Sequence, residues 1–254
     1  MHLRHIVLFI LGIGCISEIG FAQIQVVNFG SGSSATDAWV NVNSANFSGY
    51  GGFPGSSAWP APIGSNGIGS GDADLSRIAG SPTGGGPFLS STSIYFGNFA
   101  QVPNALGGTL RVSDSTPLPN LKTLVFQVQI GEATGYDLFS APALKINGGS
   151  SVVSPLFSGI LNRFQSGTYP SPATGLDEPV YVNTRGYQWD VSSLAVTSLT
   201  IDFSGVTHSQ IYGLQLDQSS SFFSTAVIPE PNVTGLVLAG VCFSLFRRRV
   251  RVVA

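Results

Sequence analysis

Apolar and polar residues alternate along much of this chain, so that every second residue is apolar. In segment 124–130, four apolar residues share one face of an extended chain and two glutamines share the other: Leu124, Phe126, Val128 and Ile130 against Gln127 and Gln129. The same period recurs at 187–191, 199–204 and 212–216. A period of two, rich in β-branched and aromatic residues, is typical of half-buried β-strands.

Six further segments of the same kind complete the set of predicted strands: 24–29, 39–42, 93–99, 109–112, 144–146 and 180–183. Turns rich in Gly, Pro, Ser and Asn separate them. The pattern predicts an all-β fold, an antiparallel β-sandwich of the jelly-roll type, because each strand has one apolar face that a second sheet must cover. A parallel α/β fold is disfavoured, since the long apolar helices it needs are missing.

The sandwich domain is predicted to span residues 23–218, with residues 219–227 as a flexible linker after it. Segment 48–90 is rich in Gly and Pro and has the least regular pattern. A structureless loop of this length would be unusual in a compact domain. We therefore expect a long insertion that covers one end of the sandwich and contains short, irregular strands.

The first 22 residues have the pattern of a secretory signal peptide. A basic start is followed by an apolar run at 6–16, and the small residues Gly20 and Ala22 precede a cleavage site between Ala22 and Gln23. The pattern predicts a signal helix, handled by the export translocon and signal peptidase. A lipoprotein is the alternative, because residues 11–15 loosely resemble a lipobox ending at Cys15, although Gly12 stands where a larger apolar residue is usual.

A short apolar run at 233–246 lies near the end of the chain, between Pro229-Glu230-Pro231 and the cluster Arg247, Arg248 and Arg249. As a helix these 14 residues would cover ~21 Å, less than the ~30 Å hydrocarbon core of a bilayer. The arginines would stay in the cytoplasm, because charged residues resist transfer. The pattern predicts a short transmembrane helix that holds the chain temporarily and is later removed. An ordinary single-pass anchor is the alternative.

This ordered set, over residues 228 to about 251, resembles the PEP-CTERM sorting signal of Gram-negative bacteria. Cys242 within the apolar run and the five residues after Arg249 are mild departures from that pattern. The resemblance implies that residues 228–254 form a sorting signal and that an exosortase recognises Pro229, Glu230 and Pro231. It also implies an organism that makes exopolysaccharide.

Removing both predicted signals changes the charge of the chain and its cysteine content. Residues 23–229 contain six Lys or Arg and 11 Asp or Glu, a formal charge of −5. An acidic body without basic clusters argues against nucleic acid as a partner. Both cysteines, Cys15 and Cys242, lie in the predicted signals. The body therefore has no disulfide, no cysteine nucleophile and no thiolate metal site.

Sequence motifs for catalysis are scarce in the body. His208 is its single histidine, and we interpret it as a polar residue of a turn between two strands. Neither Gly-x-Ser-x-Gly nor His-Glu-x-x-His occurs. The glycines at 67–71 follow no predicted strand and precede no lysine, so they do not indicate a nucleotide loop. We assign no catalytic residue and no required cofactor.

Three weaker hypotheses concern ligands. Asp72 and Asp74 lie in a glycine-rich loop and could supply oxygen ligands to Ca²⁺, although a solvated turn is the simpler interpretation. Trp59, in a proline-rich loop, is the best candidate for an exposed ring that contacts a glycan, with burial against the sandwich end as the alternative. A glycosidase would need two facing carboxylates, and the candidates are Asp177 or Glu178 with either Asp190 or Glu132.

The sequence thus predicts an exported, non-enzymatic protein that is held briefly in the inner membrane and then sorted to the cell surface or the extracellular matrix. Its expected role is structural or adhesive, in contact with exopolysaccharide. A carbohydrate-binding module, assisted by calcium, is the second hypothesis. A glycan-active enzyme is the third.

Overall fold

The computed structural model describes residues 24–30, 32–51, 58–67, 69–82, 84–97, 102–170 and 174–228. The predictions for the signal peptide, for the cleavage site at Ala22 and Gln23, and for the tail from Pro229 onward lie outside these ranges. Within them, no helix has the length and apolar character needed to cross a membrane.

The described residues form twelve β-strands and no α-helix. The strands are β1 Ser34–Val40, β2 Ile63–Gly64, β3 Asp74–Ala79, β4 Phe88–Leu89, β5 Ile94–Tyr95, β6 Leu106–Asp114, β7 Thr123–Gly131, β8 Leu138–Ile146, β9 Phe157–Pro170, β10 Asp177–Asp190, β11 Leu199–Val206 and β12 Gln210–Ser219. The all-β prediction is confirmed.

The strands form two antiparallel sheets, as expected for a β-sandwich. The larger sheet has seven strands in the order β4-β5-β12-β7-β10-β9, and β1 also pairs with β12. The smaller sheet has five strands in the order β2-β3-β6-β11-β8. Every pairing between these strands is antiparallel.

One hydrophobic core collects the apolar faces of both sheets. Its largest fully buried side chains come from the strands and their flanks: Trp39, Trp189, Phe96, Phe126 and Phe203. The indole nitrogens are satisfied, since Trp39 Nε1 donates to the Ile63 carbonyl at 2.8 Å and Trp189 Nε1 donates to the Val153 carbonyl at 3.1 Å. The alternation at 124–130 therefore identified the core face of β7 correctly, because its four apolar residues are fully buried.

Segment 48–90 supplies β2, β3 and β4, so it does contain short strands. β3 pairs with β6 and extends the smaller sheet. The glycines at 67–71 run along β1: the amide of Gly67 donates to the Ala38 carbonyl at 2.9 Å, and that of Gly71 to the Thr36 carbonyl at 3.1 Å. A Cβ at Gly69 or Gly71 would overlap atoms of β1. Close packing therefore explains this glycine run.

Three local predictions differ from the structure. β9 was not predicted, because many of its residues are exposed on both faces and its sequence does not alternate cleanly. Segments 180–183 and 187–191, predicted as separate strands, belong mostly to the single 14-residue strand β10. Residues 24–29, predicted as a strand, form no strand and instead cross the larger sheet.

Residues 219–227, predicted to form a flexible linker, also differ from the prediction. Ser219 is the last residue of β12, and residues 221–228 pack back onto the domain. Ile228 is 3% exposed. These residues therefore belong to the folded domain, because they bury apolar side chains against it.

Candidate binding face of the larger sheet

The face of the larger sheet that points away from the core is called the outer face here. It carries the polar members of the alternating strands, among them Gln127 and Gln129 of β7, Gln188 of β10 and Gln215 of β12. Glutamine presents an NH₂ group that donates and a carbonyl oxygen that accepts on a flexible stem, so it can pair with a peptide group. The outer face is therefore suited to holding an extended chain that lies across the strands.

The N-terminal segment 24–30 is held on this face by Gln127. The amide of Gln25 donates to Gln127 Oε1 at 2.8 Å, and Gln127 Nε2 donates to the carbonyl of Gln25 at 2.7 Å. Gln127 is fully buried beneath the segment. The side chain of Gln127, expected on a solvated face, thus makes the two hydrogen bonds that the backbone of a neighbouring strand would make.

The C-terminal segment 221–228 is held in the same way by Gln188. Gln188 Nε2 donates to the carbonyls of Thr225 at 3.0 Å and Phe223 at 3.3 Å, and Gln188 Oε1 accepts from the amide of Val227 at 2.8 Å. Gln188 is fully buried. Two glutamines on neighbouring strands therefore bind one terminal segment each.

The two segments meet in a second, smaller apolar cluster on the outer face. Its buried members are Phe29, Val125, Leu161 and Ile228. The ring of Phe29 lies 5.7 Å from that of Phe223. Gly186 of β10 leaves the space for this contact, because a Cβ there would come within 2.7 Å of Leu161 and 2.8 Å of Ile228. The termini thus cover part of the outer face together.

Beside the N-terminal segment, an open groove of about 800 Å³ remains on the outer face. Its volume falls within the range of small-molecule pockets, roughly 300–1,000 Å³. Aliphatic, aromatic and uncharged polar side chains line it, among them Val26, Val40, Phe164, Tyr212, Gln129 and Gln215. No charged residue is among the described lining residues. The groove is therefore suited to an uncharged ligand.

The polar groups of the groove are available in different degrees. Gln129 has no side-chain hydrogen-bond partner within the described ranges, and it faces the groove. Gln215 Nε2 donates to Asp217 at 2.8 Å, which leaves its oxygen as an acceptor. The ring of Tyr212 lies over Gly131, where a Cβ would be 3.2 Å from Cε2. An aromatic surface and an amide with no partner among the described residues thus share one groove.

Trp59 does not form an exposed platform, which corrects the hypothesis that it contacts a glycan. It is 9% exposed, and its Nε1 donates to the carbonyl of Pro87 at 3.2 Å. The ring of Tyr50 packs edge-on against it, 5.7 Å away. Trp59 therefore helps to close the end of the core, which was the alternative interpretation.

The calcium candidates Asp72 and Asp74 lie beside the start of β3. Asp72 Oδ2 accepts a hydrogen bond from Thr116, and Asp74 opens β3, paired in register with Gly64 and Ser113. Across the part of the chain that the structure describes, no group of three or more His, Cys, Asp or Glu side chains is arranged to hold a metal ion. The geometry therefore adds no support to a calcium site.

The structure separates Asp190 from the two carboxylates that it would need as partners in a glycosidase. Asp177 and Asp190 are the first and last residues of β10, roughly 40 Å apart along an extended strand. Glu178 accepts a hydrogen bond from Tyr169 at 2.9 Å. Glu132 lies 3.0 Å from the guanidinium of Arg163. Asp190 therefore cannot act with Asp177 or Glu178, and Glu132 already has a cationic partner.

His208 lies in the turn between β11 and β12, as expected for a polar turn residue. Its φ of 72° is in the left-handed region, which is uncommon for a residue with a side chain. Nδ1 lies 2.6 Å from the hydroxyl of Tyr95. This contact, together with the amide of His208 donating to the Phe96 carbonyl, fastens the turn to the chain after β5.

The groove and the two glutamine contacts were not identified as sites from the sequence. Alternation places Gln127, Gln129 and Gln188 on the side opposite the core, but only the fold shows which of them a terminal segment covers. Comparisons of this chain with protein-family models, with curated proteins and with solved structures found no match.

Proposed function

We propose that this chain is an exported, non-enzymatic protein of the cell surface or extracellular matrix that binds an uncharged polysaccharide. The groove on the outer face carries the proposal. Sugar rings present apolar C–H faces and hydroxyl groups, so they suit aromatic rings beside amide side chains. Tyr212 and Phe164 offer the rings, while Gln129 and Gln215 offer the amides.

The proposal also includes sorting through the C-terminal tail. The PEP-CTERM-like order of Pro229, Glu230, Pro231, the apolar run and the arginines supports it. In this proposal, a processing enzyme of the exosortase type removes the tail after export, and the domain then contacts exopolysaccharide. A short transmembrane helix at 233–246 holds the precursor in the inner membrane until then.

We further propose the jelly-roll topology for the sandwich. Successive strands change sheets at β6, β7 and β8 and again at β10, β11 and β12. The order β1-β12-β7-β10 in one sheet and β6-β11-β8 in the other supports this assignment. β9 departs from strict alternation, because it pairs with β10 in the larger sheet.

Substituting groove residues should weaken polysaccharide binding. We expect Tyr212→Ala and Gln129→Ala each to reduce affinity for a neutral polysaccharide about tenfold, equivalent to ~1.4 kcal/mol, because each removes a ring face or an unpaired amide. The measurement is titration calorimetry with the full chain in a detergent that has no sugar headgroup. Neutral and acidic polysaccharides are compared, with and without Ca²⁺.

Tyr136→Ala is the matched control, because Tyr136 is an exposed tyrosine that does not line the groove. Its affinity should equal that of the unsubstituted chain. Binding that survives both groove substitutions would remove the groove from the proposal. A complete lack of binding to every polysaccharide tested would contradict the proposal that the protein binds a glycan.

Tail removal has a separate test. Mass spectrometry of the exported protein from the producing cells should detect peptides of the sandwich domain and none from residues 247–254. The physical reason is that a 14-residue apolar run is too short for a stable anchor. An exported form that retains residues 247–254 would favour the ordinary anchor instead.

A further inference from the structure

Residues 221–228, called the strap here, are docked through their backbone. Three of their peptide groups bind the single side chain of Gln188, at 2.8, 3.0 and 3.3 Å. The amide of Phe223 donates to Thr123 Oγ1 at 3.3 Å, and Thr123 Oγ1 in turn donates to the carbonyl of Ser221 at 2.9 Å. The strap is therefore held along most of its length.

The end of the strap is anchored by burial as well. Ile228, immediately before Pro229, is 3% exposed and packs with Leu161 and Val125 above Gly186. Burial of an isoleucine side chain stabilises the docked position of the segment that carries it. The chain is therefore tied to the domain up to the residue that precedes the predicted sorting motif.

A processing enzyme that held the strap as an extended peptide would compete for these same groups. Enzymes and binding domains of this kind pair with the backbone amides and carbonyls of the segment they hold. In the strap, the amide of Val227 and the carbonyls of Phe223 and Thr225 are already bonded to Gln188. The strap must open locally before such a partner can bind it.

We propose that the strap controls access to the tail: docked on Gln188 it withholds the residues before Pro229, and its opening admits a processing enzyme. The inference rests on the proposed sorting function and adds its regulation by the folded domain. The N-terminal segment takes part, because Phe29 packs against Phe223. An unfolded or N-terminally misplaced domain would leave the strap undocked, so tail removal would reflect the state of the fold.

Hydrogen exchange and tail removal test the proposal together, in the full chain. For the unsubstituted protein in detergent, we expect slow exchange at the amides of Phe223 and Val227. Gln188→Ala should accelerate exchange at Val227 at least tenfold, and in producing cells it should speed the loss of residues 247–254. Asn147→Ala is the control, because the amide side chain of Asn147 also holds backbone groups, those of Ala195, Thr197 and Ser198, rather than the strap.

A second variant keeps the test valid if Gln188→Ala misfolds. Ile228→Ser alters the strap rather than a strand of either sheet, and it should also accelerate exchange at Val227. Free exchange of Val227 in the unsubstituted chain would overturn the docked strap. Unchanged tail removal in variants whose strap exchanges freely would overturn its control of access. If residues 247–254 persist in the unsubstituted exported protein while Val227 is protected, the sorting proposal and the access control fail, and the docked strap stands.

Discussion

The protein should lose stability as the pH rises from 4.5 to 8, by up to about 2 kcal/mol for each of two buried carboxyl groups. The two groups are Asp37 of β1 and Asp217 of β12. Burial raises the pKa of each from 3.8 to about 6. Both are almost inaccessible to solvent, at 0% and 2% exposure.

Asp37 accepts few hydrogen bonds for a buried carboxylate. Its Oδ1 accepts the amide of Ala73 at 2.9 Å, but Oδ2 is buried without a hydrogen-bond partner. Burial is the main reason for its raised pKa; the Ala73 hydrogen bond opposes it, and the neighbouring Asp114, Asp72 and Asp217 raise the pKa further. These charged neighbours are all acidic, so ionising Asp37 in the folded state is costly.

Asp217 accepts more hydrogen bonds than Asp37, but burial still dominates its pKa. Thr36 Oγ1 and Gln215 Nε2 each donate to it at 2.8 Å. These bonds lower its pKa, yet burial outweighs them. Since β1 pairs with β12 through Thr36 and Asp217, the two carboxyls lie on adjacent strands. Asp217 has the smallest of the charge effects that raise the pKa of Asp37, so the two titrations are coupled only weakly.

The direction of this change in stability with pH follows from proton binding. Between about pH 4 and 6 the folded state keeps protons that the unfolded chain has released. The contribution of these two groups to stability is therefore fully present below about pH 4 and is lost as the pH rises through 6. Asp202 behaves oppositely. Burial alone would raise its pKa, but hydrogen bonds from Arg111 and Lys145 hold it below 3.8. Its contribution therefore changes only below the tested range.

The measurement is denaturant unfolding of the full chain in detergent at pH 4.5 and pH 8. The double variant Asp37→Asn/Asp217→Asn should reduce the pH dependence, leaving the part due to Asp114, whose pKa burial also raises, and should be more stable than the unsubstituted protein at pH 8. Asp177→Asn is the control, since Asp177 is exposed on β10. A free energy of unfolding that is constant or rises between these pH values would contradict the expectation.

Removing the carboxylate of Asp137 should destabilise the protein by about 3–5 kcal/mol, as breaking a buried ion pair does. Its Oδ2 accepts Arg185 Nε at 2.7 Å and Asn183 Nδ2 at 2.8 Å, and its Oδ1 accepts the amide of Leu138 at 2.6 Å. The side chain of Asp137 is 6% exposed, and that of Arg185 is 28% exposed. Asp137→Ala would leave the guanidinium without its anion in a low-dielectric setting.

Asp202→Ala is the matched control for that loss. Asp202 also pairs with cations, Arg111 at 2.6 Å and Lys145 at 3.1 Å, but its own side chain is 16% exposed, against 6% for Asp137, and Arg111 is 37% exposed. Exposed ion pairs contribute roughly 0–1 kcal/mol. Unfolding by denaturant should therefore rank Asp137→Ala well below Asp202→Ala in stability. Equal losses would mean that burial does not strengthen the Asp137 network.

Alternation predicted the strands whose two faces differ, and it failed where they do not. β7, β11 and β12 each bury one apolar row, so a period of two is visible in their sequences. β9 is exposed on both faces over much of its length and carries no such signal. β10 was divided in two because Arg185 and Gly186 interrupt its apolar row, and only pairing with β7 and β9 shows it to be continuous.

The candidate site could not be derived in the same way, because it depends on which residues distant in sequence meet. Gln127 contacts Gln25, about a hundred positions earlier, and Gln188 contacts Val227. A glutamine on a polar face has the same local pattern whether water or a backbone covers it. Trp59 likewise has a loop sequence, and only packing against Tyr50 and Pro87 buries it.

The sequence by itself determined that this chain forms antiparallel strands around an apolar core, because alternation is a local property that burial of one face requires. It also set the acidic, thiol-free character of the body. The tertiary structure alone decided what covers the outer face: both terminal segments lie on it and leave a groove beside them. That arrangement depends on long-range contacts. In each of them, backbone groups of a terminal segment form hydrogen bonds with the side-chain amide of one glutamine instead of with water.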